Sequence, residues 1–309
     1  MYKHLTGLIA PPFTPMHDDG SLNLDMIEKQ AEALVESGVI GVFVCGTTGE
    51  SMSLTVEERM RIAERWREVA GRDLAVIVHV GHTCLSDCKV LAEHAKKIGA
   101  DAIAAMGPCF FKPETVEDLA SFCLEITSAA PKTPFYYYHI PSMTGVRFAM
   151  VDFLEAAADR IPTLVGIKFT HEDLMDFSRC LRFGEGRFNM LFGRDQMLLA
   201  SLVVGGRGAV GTTYNFAAPI YRRIIESYEA GDMEDAQKAQ ALACDMIAII
   251  HRFGGLSVMK AMMKMIGIDC GPTRLPLARF PQNQYDKLYA ELERIDLFSH
   301  IKKFQRTFR

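Results

Sequence analysis

The 309-residue chain is 49% apolar and 23% charged, an ordinary globular balance and enough chain to bury a large core. Its net charge of −4, with no dense basic stripe, argues against nucleic acid as the main partner. It shows no charged-then-apolar signal pattern and no apolar run long enough to span a bilayer, so a cytoplasmic protein with no membrane partner is expected.

In chain order, eight short runs read as strands: Gly7–Phe13, Val39–Cys45, Leu74–Val80, Asp101–Met106, Pro134–Ile140, Leu164–Phe169, Phe188–Phe192 and Gly208–Thr212. Each is near-continuously apolar and not alternating, which suits strands covered on both faces. The stretches Met26–Ser37, Thr55–Ala70, Ser86–Ile98, Val116–Ala129, Val151–Arg160 and Asp195–Val204 place apolar residues at helical spacing. Thr55-Val-Glu-Glu58 is a capping box for the second of them, and Asp18-Asp19-Gly20 is a turn. Alternating units in this order predict an α/β fold, a (β/α)8 TIM barrel over residues 1–215.

Residues 216–309 then read as a C-terminal helical extension packed on the barrel. Its segments are Pro219–Ala230, Met233–Phe253, Val258–Ile266, the Pro-rich Gly271–Pro281, and Asn283–Arg294. The Met-rich stretch Met259–Met265 reads as a buried helix face. Lys302, Lys303, Arg306 and Arg309 read as a solvated basic end. The eight cysteines are scattered, as reduced core thiols are, and Cys84 with Cys88 makes a poor metal site. No metal and no cofactor is expected.

In such barrels chemistry sits at the carboxyl ends of the strands. Lys168 stands near the end of an apolar strand, Leu164-Val-Gly-Ile-Lys168-Phe-Thr170. A buried ammonium must find a partner or lose its proton, and a neutral amine is a nucleophile for ketones. The bland reading, a lysine ending an edge strand and reaching water, is about equally good from the residues alone. Gly46-Thr47-Thr48-Gly49-Glu50 precedes a helix, so its hydroxyls and backbone N–H groups can hold a carboxylate; a simple turn with a threonine cap fits slightly better. In Phe135–Pro141, alternation sends Tyr136 and Tyr138 to one side of the strand and Tyr137 to the other. A phenol beside a strand-six amine can relay protons, but packing by a large aromatic fits any one tyrosine better from the residues alone. Gly206-Arg-Gly-Ala-Val-Gly211 matches a dinucleotide fingerprint but runs through a strand, so it carries no weight. His79 and His82 read as structural.

Taken together, Gly7-Leu-Ile-Ala-Pro-Pro-Phe-Thr-Pro15, Gly46-Thr-Thr-Gly-Glu50, Tyr138-His-Ile-Pro141, Gly166-Ile-Lys-Phe-Thr170 and Gly208-Ala-Val-Gly-Thr-Thr-Tyr-Asn215 resemble one family in order and spacing. It is the family of pyruvate-dependent aldolases that includes N-acetylneuraminate lyase and dihydrodipicolinate synthase. The resemblance implies that Lys168 forms a Schiff base with pyruvate and that Tyr138 shuttles protons. It implies that Thr47 and Thr48 hold the carboxylate, and that Thr170, Gly193, Asp195, Gln196 and Thr212 grip a polyhydroxy tail. It also implies a homotetramer acting on small molecules.

The synthase branch resembled here has an arginine at the slot of Met143, and an apolar side chain there cannot pair with a carboxylate. Sialic acid cleavage is therefore the favoured expectation; an aldolase for another 2-keto-3-deoxy sugar acid, or the synthase, is the alternative. Two departures stand out. Gln196 replaces a glutamate and so loses a charge and gains a donor, and Phe110-Phe111 stands where relatives often carry tyrosines.

Overall fold

The computed structural model describes residues 2–304. Arg306 and Arg309 of the expected basic end lie outside them. Lys302, within them, pairs with Glu36 at 2.6 Å. Among the described residues, eight strands close into one parallel barrel in chain order. They are β1 Gly7–Ala10, β2 Gly41–Val44, β3 Ala75–His79, β4 Ala102–Met106, β5 Phe135–His139, β6 Leu164–Phe169, β7 Asn189–Phe192 and β8 Gly208–Val210, and β8 pairs back onto β1. The expected (β/α)8 barrel with a helical extension is therefore the fold, and all the strands but β6 are shorter than the apolar runs that announce them. The runs of β1, β2, β3, β5 and β8 continue past the end of the strand toward the mouth of the barrel.

Two apolar layers follow from the period of two. Ile9, Phe43, Ile77, Ala104, Tyr136, Tyr138, Leu191 and Val210 point inward and fill the barrel. Tyr137, Ile167 and Phe169 point outward, under the helices. The register pairs Tyr138 with Lys168 and Lys168 with Leu191. Gly166 is required beneath Lys168, because a Cβ there would lie 1.9 Å from the Asn189 carbonyl oxygen.

Among the described residues the helices Pro141–Thr144, Leu174–Arg182 and Leu297–His300 escape the sequence reading, and the second is the longest of them. Leu174–Arg182 is short, and it is held by the Asp173 side chain accepting from Asp176 N at 2.9 Å. Asp176 is itself buried. Its carboxylate accepts from Met150 N at 2.7 Å and Val151 N at 3.1 Å, serving a neighbouring helix whose own start, Ala149, has no side-chain cap. The expected helix Asp195–Val204 divides into a 3-10 turn, Asp195–Met197, and a helix, Leu198–Val203. The helix after β8 begins at Tyr214, ahead of Pro219, and accommodates the proline by a distortion at Ala217 (φ −126°). Cys84 precedes the helix Leu85–Lys97 and is exposed, while Cys88 within it is buried, so the two share no helix face.

Met233–Phe253 and Leu256–Met265 are the main helices of the extension. Among the described residues no single helix is long and apolar enough to cross a membrane; these two pass only as a pair bent by 118°.

Candidate active site

Lys168 is 4% exposed, and its Nζ lies over two ring faces, 3.8 Å from the Tyr138 centroid and 4.0 Å from that of Phe43. The reading of an edge lysine in water is thereby excluded. Burial pulls the ammonium from its ordinary 10.5 down to about 7, against the opposing pull of Asp195. At neutral pH a large share of this amine is free to attack a carbonyl, about 10³-fold more than for a lysine in water.

Lys168 opens into a cavity of about 710 Å³ at the carboxyl ends of the strands. Its wall takes Thr47, Thr48, Tyr138, Thr170, Gly193, Asp195, Gln196 and Thr212, so the residues that the family resemblance implied are gathered in one place. The inward-facing register explains this, since Tyr138, Lys168 and Thr170 all continue the interior row.

The turn after β2 is not a helix cap. Thr55 caps the helix Val56–Ala70, accepting from Glu58 N at 3.2 Å, with a short 3-10 turn Ser51–Ser53 before it. Thr47 and Thr48 are thus free for other work. The Thr47 hydroxyl lies 3.1 Å from the Tyr138 hydroxyl, and the Thr48 hydroxyl 2.7 Å from that of Thr212. Burial pushes the Tyr138 phenol up to about 12, so it stands protonated at rest. It moves protons only by relay, taking one as it passes another on.

Asp195 is held across the mouth. Its carboxylate accepts from Thr213 N at 2.9 Å and from Thr213 Oγ1 at 2.6 Å. Thr213 has one hydroxyl proton, so the Tyr221 hydroxyl, 2.6 Å away, donates to Thr213. Burial raises Asp195 above the usual carboxylate range, while Thr213 and Lys168 hold it down. Gly193 must lack a side chain, because a Cβ would sit 2.2 Å from Thr170 Oγ1.

Other residues of the barrel fall outside this chemistry. His79 is buried, its Nδ1 2.9 Å from the Cys45 carbonyl oxygen, and burial keeps it well below its ordinary pKa. His139 is pulled down to about 3 by burial and packs edge-on against Phe169. Thr14 donates to Gly49 O at 2.7 Å and braces the turn after β2. Met143 lies at the rim, 63% exposed, carried by the helix Pro141–Thr144. The loop after β4 gives Cys109 to the wall, and Phe110 and Phe111 meet edge-to-face outside it.

The sequence reading missed the opposite wall, built by Ile247, Ile250, Leu256 and Met259 of the extension with Pro276 and Leu277. Met259 therefore faces the cavity, where the Met-rich stretch was expected to be core. It also missed Arg194, whose Nη2 pairs with Glu172 Oε1 at 2.8 Å, while its Nε is buried without a partner among the described residues. Among the described residues no group of three His, Cys, Asp or Glu side chains is disposed to hold a metal.

The dihydrodipicolinate synthetase family model matches residues 4–295. N-acetylneuraminate lyase of Mus musculus is 42% identical over 302 residues, covering 96% of this chain and 94% of that protein. The Homo sapiens lyase is 42% identical over 303 residues, with the same coverage. The solved N-acetylneuraminate lyase of Proteus mirabilis superposes with a TM-score of 0.93 at 39% identity, covering 96% of this chain and 100% of that one. That of Aliivibrio salmonicida gives 0.93 at 41% identity, covering 96% and 98%.

Proposed function

This chain belongs to the dihydrodipicolinate synthetase family, and we propose that it is a Schiff-base aldolase cleaving N-acetylneuraminate reversibly to N-acetylmannosamine and pyruvate. The observation that carries the reading is the buried Lys168 amine, brought near pH 7 at the floor of a cavity lined by hydroxyls.

The chemistry runs from those groups. The free Lys168 amine adds to the C2 ketone of the open-chain sugar acid, and loss of water with uptake of one proton from solvent gives a protonated imine. Thr47 and Thr48 hold the carboxylate beside it through hydroxyl and backbone N–H groups. The C4 hydroxyl gives up its proton to Tyr138 while the phenol passes its own toward the substrate carboxylate. The C3–C4 bond then breaks, its electron pair flows into the imine, and the aldehyde sugar leaves. The enamine takes a proton at C3, and water hydrolyses the imine to release pyruvate and Lys168. A positioned relay of this kind contributes about 10²–10⁴ in rate. Thr170, Gly193, Asp195, Gln196 and Thr212 bind the polyhydroxy tail. No metal or cofactor enters the scheme.

A second reading is an aldolase for another 2-keto-3-deoxy sugar acid. It is favoured by Gln196 and Arg194, which put amide and guanidinium donors on the tail-binding side. A panel of aldehydes condensed with pyruvate separates the two. Dihydrodipicolinate synthesis is disfavoured by Met143, which offers no cation to a carboxylated aldehyde. For assembly and place, the reading is a cytoplasmic homotetramer. Phe110 and Phe111, 76% and 86% exposed, are apolar surface that such an assembly would cover. Light scattering after size exclusion tests it, and a monomer contradicts it.

The deciding experiment is borohydride reduction with pyruvate. One stable adduct is expected, on the peptide that carries Lys168. No adduct, or an adduct on another lysine, removes the assignment.

A further inference from the structure

Glu50 and Lys260 form an ion pair out of reach of water, with side chains 0% and 2% exposed and 2.8 Å between Lys260 Nζ and Glu50 Oε1. Two charges withdrawn from water hold together only when their remaining donors and acceptors are also used. Here those bonds run to separate segments. Lys260 Nζ donates to Thr14 O at 2.9 Å and to Pro272 O at 2.7 Å. The second Glu50 oxygen accepts from Arg274 N at 2.8 Å. Thr14 is itself bonded to Gly49.

Glu50 occupies the left-handed region (φ 57°), a conformation that a residue with a side chain keeps only where its surroundings over-determine it. Its backbone N–H closes the turn by donating to Thr47 O at 3.0 Å. Arg274 adds bonds to Glu58 Oε2 at 2.7 Å and Gly20 O at 2.8 Å, fixing the segment whose next residues, Pro276 and Leu277, line the cavity.

We propose that Lys260 and Glu50 are positioning residues for the keto acid. Their ion pair sets the turn that presents Thr47 and Thr48, and it makes the C-terminal extension part of the carboxylate subsite. This rests on the reading that those two threonines hold the pyruvate carboxylate. A pair serving only to hold the fold together would change melting temperature and leave the affinity for pyruvate alone. A pair that places the threonines acts on affinity first.

The test uses Glu50→Gln and the double variant Glu50→Gln/Lys260→Met. Glu50→Gln keeps the shape and the acceptor for Arg274 N. The double variant leaves no lone buried charge. For each, the pyruvate concentration giving half-maximal borohydride trapping is measured, together with kcat and KM for pyruvate in the condensation direction. Half-saturation is expected to rise roughly threefold or more in Glu50→Gln and roughly tenfold in the double variant, with kcat changed less than about threefold. If the double variant does not fold, Glu50→Gln decides. Wild-type half-saturation in the folded variants, whatever their melting temperatures, overturns the inference. A loss confined to kcat also overturns it. A wild-type protein that traps no pyruvate removes the underlying reading, and this inference with it.

Discussion

Replacing Lys168 by methionine should abolish the reaction and stabilise the fold, and the gain should depend on pH in one particular way. In the folded chain Lys168 titrates near 7 and not at its ordinary 10.5. At about 1.4 kcal/mol per pH unit, that difference is about 5 kcal/mol. Above 10.5 the amine is neutral folded and unfolded, and its charge has no effect. Between 10.5 and 7 the unfolded chain binds a proton that the folded chain does not, so falling pH destabilises the wild type. Below 7 both states are protonated and the full penalty remains. Methionine fills nearly the same space with no charge to desolvate. The stability difference between variant and wild type should therefore be largest and flat below pH 7, fall through pH 8 and 9, and vanish near 10.5. Urea unfolding of both proteins from pH 6 to 10 reads this directly. The 5 kcal/mol is a ceiling, since ring faces at 3.8 and 4.0 Å offset some of the cost of the cation. A difference that is constant across the window, or a methionine variant less stable at pH 7, would refute the premise that Lys168 is held neutral by burial.

Tyr138→Phe removes the relay and keeps the ring over Lys168; kcat for N-acetylneuraminate cleavage should fall about 10²–10³-fold with an unchanged melting temperature, and near-wild-type turnover would remove the phenol from the scheme. Gln196→Glu should raise kcat/KM for long polyol substrates several-fold over short aldehydes, since a carboxylate accepts from hydroxyls where the amide is divided between donor and acceptor; equal kinetics would show that this residue does not meet the tail. Gly193→Ala drives a methyl to 2.2 Å from Thr170 Oγ1 and should cost about 1–3 kcal/mol by chemical unfolding, with KM for the sugar raised; an unperturbed variant would mean the strand ends yield freely.

The barrel was legible because its strands are buried on both faces and so appear as uninterrupted apolar runs. Lys168 stood out for the same reason, as the one lysine in these runs, although the residues alone left its burial an even choice. The side each strand residue faces was also readable, because a period of two leaves Tyr136 and Tyr138 no choice. The wall formed by Ile247, Leu256 and Met259 was not, because amphipathic helices carry no mark of which apolar residues meet the core and which meet the cavity. Arg194 was invisible for a different reason: an arginine between Gly193 and Asp195 looks like any turn residue until the fold turns it toward a site. The helix Leu174–Arg182 was lost because its fit depends on the buried Asp176, a side chain whose hydrogen bonds lie on another helix.

The surroundings of Lys168 look contradictory until the covalent intermediate is considered. Burial works against a charged nitrogen there, yet two aromatic faces and the Asp195 carboxylate work in favour of one. For a resting ammonium these are merely opposed effects, which leave the group near neutrality. The protonated imine differs. Its charge is spread over carbon and nitrogen, so it gives up less hydration on entering an apolar wall than an ammonium does. The same rings and carboxylate that only partly offset burial for the ammonium can therefore stabilise the imine. The net balance frees the amine before reaction and favours the cation once the bond to substrate has formed, which is the difference in binding between ground state and intermediate that catalysis requires. In the proposed mechanism Asp195 is then more than a contact for the sugar tail. Held by Thr213, which Tyr221 in turn braces, and itself raised by burial, it would supply the negative end of the field in which the imine forms.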